Sequence, residues 1–175
     1  MKTYVLGGGC FWCLDSAFSQ FRGITDVEVG YTGGHVAAPT YEAVCSGTTG
    51  HAEVAKVTFD ELQISESAVL DIFFTLHDPT QLNRQGHDVG TQYRSSMFFA
   101  DEIQKKEFEA AVARASKVWP GQVVTEIMPL GDYWPAEDYH QNFFAKNPNQ
   151  GYCLAVVLPK VIKVRKAYSN LLRES

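Results

Sequence analysis

The chain has 175 residues and a mass of 19.5 kDa, the size of one domain and enough to bury a core without a disulfide or metal to staple it. It is 45% hydrophobic and 20% charged, which excludes a disordered, collagen-like or membrane-spanning chain. Lys and Arg number 15 against 20 Asp and Glu, a formal net charge of -5, and no basic block offers a footprint for nucleic acid.

The elements follow in chain order. Thr3 to Leu6 reads as a short strand that ends at Gly7-Gly8-Gly9. Its apolar run is far shorter than a signal-peptide core or a spanning helix, so the chain is expected in the cytoplasm, away from the membrane. Phe11, Leu14, Phe18 and Phe21 follow at the spacing of one helix face. Val27 and Val29 mark a second strand, closed by Gly30 and Gly33-Gly34. From Val54 to Phe59, Ala55, Val57 and Phe59 alternate with Val54, Lys56 and Thr58, the pattern of a half-buried strand. Ser65 caps a helix to about Leu76, and Asp101 opens another to about Val118, with strands at Met97–Ala100 and Val123–Met128 on either side of the latter. A further helix is expected from Ala136 to Lys146 and a last one from Lys160 to Leu172, where Lys160, Lys163, Arg165 and Lys166 read as a solvated face. Strands and helices intermix without regular alternation, which predicts an α+β fold with a mixed sheet. Residues 30–53, 77–96 and 129–153 are long, polar and irregular, as functional segments are.

Gly7-Gly8-Gly9-Cys10-Phe11-Trp12-Cys13 puts a cysteine at a strand-to-helix turn. Unpaired N–H groups and the helix dipole there favour thiolate and lower a thiol pKa from ~8.5 into the range ~3.5–7.5. The four cysteines of the chain are too few for a disulfide scaffold. Cys10-x-x-Cys13 can be a dithiol redox pair, or half of a zinc site completed by Cys45 with His51 or Cys153. Glu53 closes Gly50-His51-Ala52-Glu53 where the Val54 strand begins, so a partly desolvated general acid fits there. Asp88 to Ser95 is a dense polar run, and Tyr41 lies in another irregular stretch. Taken singly, these residues read as a surface charge, a turn residue and wet phenols.

Taken together they resemble a known family. Gly9-Cys10-Phe11-Trp12, Gly50-His51-Ala52-Glu53, Asp88-Val89-Gly90-Thr91-Gln92-Tyr93-Arg94-Ser95, Ala136-Glu137-Asp138-Tyr139-His140-Gln141 and Gly151-Tyr152-Cys153 resemble, in that order, the peptide methionine sulfoxide reductase A family. The resemblance implies a mixed sheet flanked by helices, a ferredoxin-like two-layer sandwich over 1–175, with a catalytic core at about 5–153 and a tail at 154–175. It implies reduction of free and protein-bound methionine-S-sulfoxide. Cys10 would be the nucleophile and Glu53 the acid, with Tyr41 and Tyr93 bonded to the sulfoxide oxygen and Asp88 supporting through water. Phe11 and Trp12 would receive the substrate methyl group, with Gly50, His51, Tyr133 and Trp134 also assigned to substrate binding. Cys153 matches the recycling position, on a glycine-flanked flexible tail, and Cys13 is its rival. Cys45 reads as structural. The implied partner is thioredoxin, or dithiothreitol in vitro, with no bound cofactor or metal and a monomeric chain. Two positions depart from the family pattern, His87 for a common asparagine and Asp15 for a common glutamate.

Overall fold

The computed structural model describes residues 1–174. β1 (Lys2–Gly7) hands over at Gly8-Gly9 to α1 (Phe11–Phe18), and Cys10 is the cap residue just ahead of the first helical turn. β2 (Ile24–Thr32) leads through a long loop that carries the short helix α2 (Tyr41–Cys45) into β3 (Ala52–Phe59). In α3 (Glu66–Leu76) the Ser65 hydroxyl accepts the Ala68 N–H at 3.1 Å. Two two-residue strands, β4 (Arg84–Gln85) and β5 (Asp88–Val89), precede β6 (Ser96–Phe99). In α4 (Glu102–Val118) the Asp101 carboxylate accepts the Gln104 N–H at 2.9 Å. Both caps lie where the sequence predicts them, because a short side-chain acceptor satisfies an otherwise orphan N–H. β7 (Glu126–Pro129), β8 (Tyr133–Pro135), α5 (Phe143–Lys146) and α6 (Leu158–Ala167) follow.

The run β1-α1-β2-β3-α3-β6 lays its strands in the order β6-β1-β3-β2, every neighbouring pair antiparallel. This is the ferredoxin-like arrangement. β7 joins β6 in parallel and β8 joins β2 antiparallel, completing a mixed six-stranded sheet. Alternation sends Tyr4, Leu6, Ala55, Val57 and Phe59 into the core beneath the helices with Phe11, Leu14, Phe18 and Phe73. Each fully buried Phe or Leu there contributes roughly 1.5–3 kcal/mol. Val5, Val54 and Phe98 face the other way, under Leu130 and Tyr133. Glu53, two residues ahead of Ala55, therefore shares the helix face.

Four expectations change. β2 passes through Gly30 and closes at Thr32, just ahead of the expected Gly33-Gly34: a Cβ at Gly30 would lie 2.6 Å from the Trp134 carbonyl oxygen, so that glycine lets β8 approach rather than ending the strand. α1 stops at Phe18, short of Phe21. The helix expected over 136–146 is broken into a turn at Asp138–His140 and α5, because Gln141 bonds both backbone groups of Val29 at 2.9 Å and Asn142 adopts φ 55°. The last helix begins early: residues 151–167 are helical, with a wide π turn over Cys153–Val157. Pro159 lacks an N–H and its ring crowds the carbonyl four residues back, so the preceding turn widens. Cys153 thus lies in a helix, not on a flexible tail.

Candidate active site

The glycine turn brings Cys10 to the open end of α1, and the strand face brings Glu53 beneath it. The Phe11 N–H donates to Glu53 Oε1 at 3.2 Å, tying the first turn of α1 to the end of β3. Glu53 is 1% exposed, and its other oxygen, Oε2, is buried without a partner. Burial pushes the carboxyl up to about 8, against the pull of the Phe11 N–H. Glu53 is therefore protonated at neutral pH.

Cys10 differs from its sequence-based expectation. Burial raises its thiol well above the ordinary value, and the bond it donates to Cys13 and the charge of Glu53 add to that. The Trp12 N–H opposes them and does not win. Desolvation of the whole side chain outweighs one helix end. Cys13, which accepts from Cys10, is held below its ordinary value by that bond, with the Lys160 ammonium helping. Cys10, Cys13, Cys153 and Val157 form one buried cluster, and all four cysteines are free thiols.

Donors converge on the same centre. The Thr40 hydroxyl opens α2 by accepting the Ala43 N–H at 3.2 Å, so Tyr41 lies on its first turn. Its backbone N–H donates to Glu137 Oε2 at 2.9 Å, while Tyr31 donates to Glu137 Oε1 at 2.9 Å. Tyr93 comes from the turn after Gly90, and its carbonyl accepts the Gly9 N–H at 3.2 Å. Burial, and then the charge of Glu53, raises both phenols, which stay un-ionised donors. Cys45 lies beside both, its thiol raised by burial and drawn back by bonds from Tyr41 and Tyr93. Asp88 accepts the hydroxyl of Tyr152, the neighbour of Cys153.

An aromatic wall flanks the sulfur. Trp12 stacks on Phe143 with centroids 3.8 Å apart and planes 5° from parallel, and Tyr152 meets it edge-on at 5.7 Å. The Trp12 indole N–H donates to His140 Nδ1 at 3.0 Å. Behind the glycine turn, His77 bonds the Phe73 carbonyl at 2.6 Å and the Ser95 hydroxyl at 2.7 Å. Burial takes it down to about 4, so it is neutral. A Cβ at Gly8 would come within 2.9 Å of its ring. A protonated carboxyl, two phenols, a thiol and an aromatic wall gathered in one largely buried cluster suit the reduction of a small, neutral, strongly polarised oxide.

Known proteins agree with that chemistry. The family model described as peptide methionine sulfoxide reductase matches residues 2–172. The chain belongs to the peptide methionine sulfoxide reductase family. Peptide methionine sulfoxide reductase MsrA of Clavibacter michiganensis subsp. michiganensis is 59% identical over 173 residues, 99% of either chain. Mxr1 from Saccharomyces cerevisiae in reduced form superposes with a TM-score of 0.82 at 34% identity, over 87% of this chain and 88% of that one. The same yeast protein in complex with Trx2 has this fold too, with a TM-score of 0.58 at 23% identity over 81% of this chain and 84% of that one. The chain is thus a methionine sulfoxide reductase, an oxidoreductase, as its motifs imply.

The fold gathers most, but not all, of the residues assigned to the site from sequence. Cys10, Phe11, Trp12, Cys13, Tyr41, Glu53, Asp88, Tyr93 and Cys153 come together. Tyr133 does not: alternation in β8 turns it to the opposite face of the sheet, where its hydroxyl donates to Glu28 at 2.9 Å and the Lys56 ammonium covers its ring. Trp134, next along, packs against the main core. Both His51 ring nitrogens bond the backbone of the facing loop, Gly34 N–H at 3.0 Å and Val36 carbonyl at 2.7 Å, which leaves neither for substrate or zinc. Gly50, at φ 74°, serves the turn that makes this possible. Tyr31, His77, Glu137 and His140 position the site without having been assigned to it. Glu137 and His140 stood inside a quoted motif, but only their bonds, to Tyr31 and Tyr41 for the first and to Trp12 for the second, give them a role.

Proposed function

We propose that the protein reduces the S epimer of methionine sulfoxide, free and in proteins, with Cys10 as nucleophile and Glu53 as proton donor. The observation that carries this reading is the Glu53 carboxyl, buried, raised to about 8 and with Oε2 unpartnered. A sulfoxide oxygen is a strong acceptor with no proton of its own, and its sulfur becomes electrophilic only as that oxygen is protonated or strongly hydrogen-bonded. The Tyr41 and Tyr93 hydroxyls are further donors, Asp88 acts through water, and Phe11 and Trp12 receive the methyl group.

Cys10 Sγ attacks the sulfoxide sulfur while Glu53 gives its proton to the oxygen, and the thiol proton of Cys10 replaces it on Glu53. A second proton from Glu53 lets that oxygen leave as water, so the sulfur–oxygen bond breaks and Cys10 Sγ stays bonded to the methionine sulfur as a sulfonium. Water then attacks Sγ and returns a proton to Glu53, the sulfur–sulfur bond breaks, methionine leaves, and Cys10 carries a sulfenic acid. The Cys153 thiol then condenses with it, releasing water and forming the Cys10–Cys153 disulfide, with Cys13 placed to take the bond over. An external dithiol reduces that disulfide. Thioredoxin fills the role in this reading, supported by the complex of the yeast protein with Trx2, and dithiothreitol replaces it in vitro. No bound cofactor or metal takes part, and the chain acts as a cytoplasmic monomer that repairs oxidised proteins.

Stereo-resolved turnover of a methionine sulfoxide peptide with dithiothreitol tests the reading. Only the S epimer is expected to disappear, Cys10→Ser to abolish the reaction, and Glu53→Gln to slow it by about a hundredfold or more. Consumption of the R epimer, or full activity in Glu53→Gln, would overturn it.

A further inference from the structure

Two carboxyl side chains are buried among the described residues, Glu53 and Asp15, and the chemistry above uses only the first. Asp15 lies on α1 one turn after Trp12 and is 2% exposed. Its Oδ2 accepts the Asn142 N–H at 2.8 Å, and its Oδ1 accepts the Ser19 hydroxyl at 3.2 Å. Asn142 is one of three non-glycine residues with positive φ among the described residues, at φ 55° and ψ 36°. Asn enters that region more readily than most side chains, and here a carboxylate on its N–H holds it there.

What leaves that turn on either side is the aromatic wall. Just before it, His140 accepts the Trp12 indole N–H at 3.0 Å; just after it, Phe143 stacks on the Trp12 ring at 3.8 Å. Trp12 is therefore gripped at its edge and on its face by residues two before and one after a single left-handed residue. The carboxylate on that residue's N–H comes from Trp12's own helix. A charged acceptor makes such a bond shorter and stronger than a neutral one.

We infer that Asp15 is a positioning residue for the methyl pocket: its carboxylate fixes the left-handed turn at Asn142 and, through His140 and Phe143, the plane of the Trp12 indole. This rests on the reading of Trp12 as a pocket wall. The effect falls on substrate binding rather than on the bond-breaking step, because neither Cys10 nor Glu53 touches the turn. It also depends on pH. Burial raises the Asp15 carboxyl to about 6, the bonds from Asn142 and Ser19 pull it back, Asp26 of β2 raises it and Lys146 of α5 lowers it. Arg173 also faces this region, where its guanidinium donates to the Ser19 carbonyl at 3.0 Å. The grip on Asn142 weakens as the pH falls through about 6.

The test compares wild type with Asp15→Asn by three readouts: KM for a methionine-S-sulfoxide peptide, the single-turnover rate at saturating peptide, and the near-ultraviolet circular dichroism of the stacked indole. KM is expected to rise about five- to tenfold in Asp15→Asn, with the saturating rate within about twofold and the near-ultraviolet band diminished. In wild type, KM should rise and the band fall as the pH drops from roughly 7.5 to 5.5, and Asp15→Asn should show neither change. A folded Asp15→Asn with wild-type KM and band overturns the inference, as does a variant that loses saturating rate at unchanged KM. Should Asp15→Asn fail to fold, the wild-type pH series decides alone, flat profiles counting against it. The band reads the turn without turnover, so an inactive wild type would contradict the proposed reaction while the role of Asp15 was still being measured.

Discussion

Glu53 owes its protonated state to the fold. Placing a carboxyl beneath a helix and a sheet disfavours its charged form, and one N–H bond from Phe11 does not offset that. Two outcomes follow from the value of about 8. Because the proposed reaction uses protonated Glu53, kcat/KM for the S-sulfoxide should fall on an alkaline limb centred near pH 8, and a profile still flat at pH 9 would contradict the role of Glu53. The second outcome concerns stability. Between the ordinary 4.5 and about 8 the folded chain holds a proton that the unfolded chain has lost, so stability falls as the pH rises through that window. Glu53→Gln removes the titration. In urea unfolding at pH 9 it should be more stable than wild type, by on the order of a few kcal/mol, and the difference should shrink toward pH 5. Here the group proposed to donate the proton also weakens the fold above neutral pH.

At the scale of elements, the helical stretch that carries Cys153 is the decisive piece. Its wide turn before Pro159 keeps Cys153 buried against Cys10 and Cys13, and Tyr152 latches it to Asp88 and against Trp12. Cys153→Ser should release one methionine per chain in a rapid burst and then stall with thioredoxin, and steady turnover would give the resolving role to Cys13. Tyr152→Phe should keep the burst rate and slow the appearance of the disulfide by roughly tenfold, followed by quenching and thiol counting. A slower burst with normal disulfide formation would make Tyr152 part of the reduction step instead. The capped helices α3 and α4 and the alternating strand β3 were legible in the sequence because their signals are local: a hydroxyl or carboxylate three residues from an N–H, and a period of two. The break in 136–146 was not legible. It comes from Gln141 binding the backbone of Val29, more than a hundred residues away, and from Asp15 holding Asn142. No window along the chain contains both partners.

The whole molecule places the site by topology. The ferredoxin-like order puts β1 and β3 side by side at the centre of the sheet, so the glycine turn after one and the Glu53 end of the other meet. β8 is added on the far side of β2, where Gly30 leaves room for it. Gly30→Ala sets a methyl group against the Trp134 carbonyl oxygen and the Tyr133 hydroxyl, each 2.6 Å away. It should cost about 1–3 kcal/mol in urea unfolding and free the edge held by β8, and an unchanged midpoint would contradict the close packing.

The sequence by itself determined the family and the order of the core elements, and it named the thiol, the carboxyl and the phenols to which the proposed reaction is assigned, since each is written in contiguous motifs, caps and short periods. The tertiary structure alone decided the protonation of Cys10 and Glu53, because burial depends on what covers a residue and not on its neighbours in the chain. It also decided that Tyr133 and His51 turn away from the pocket, and that Cys153 waits in a helix beside the sulfur it is proposed to rescue. Those are matters of which face and which partner, and they are fixed only when distant segments close on one another.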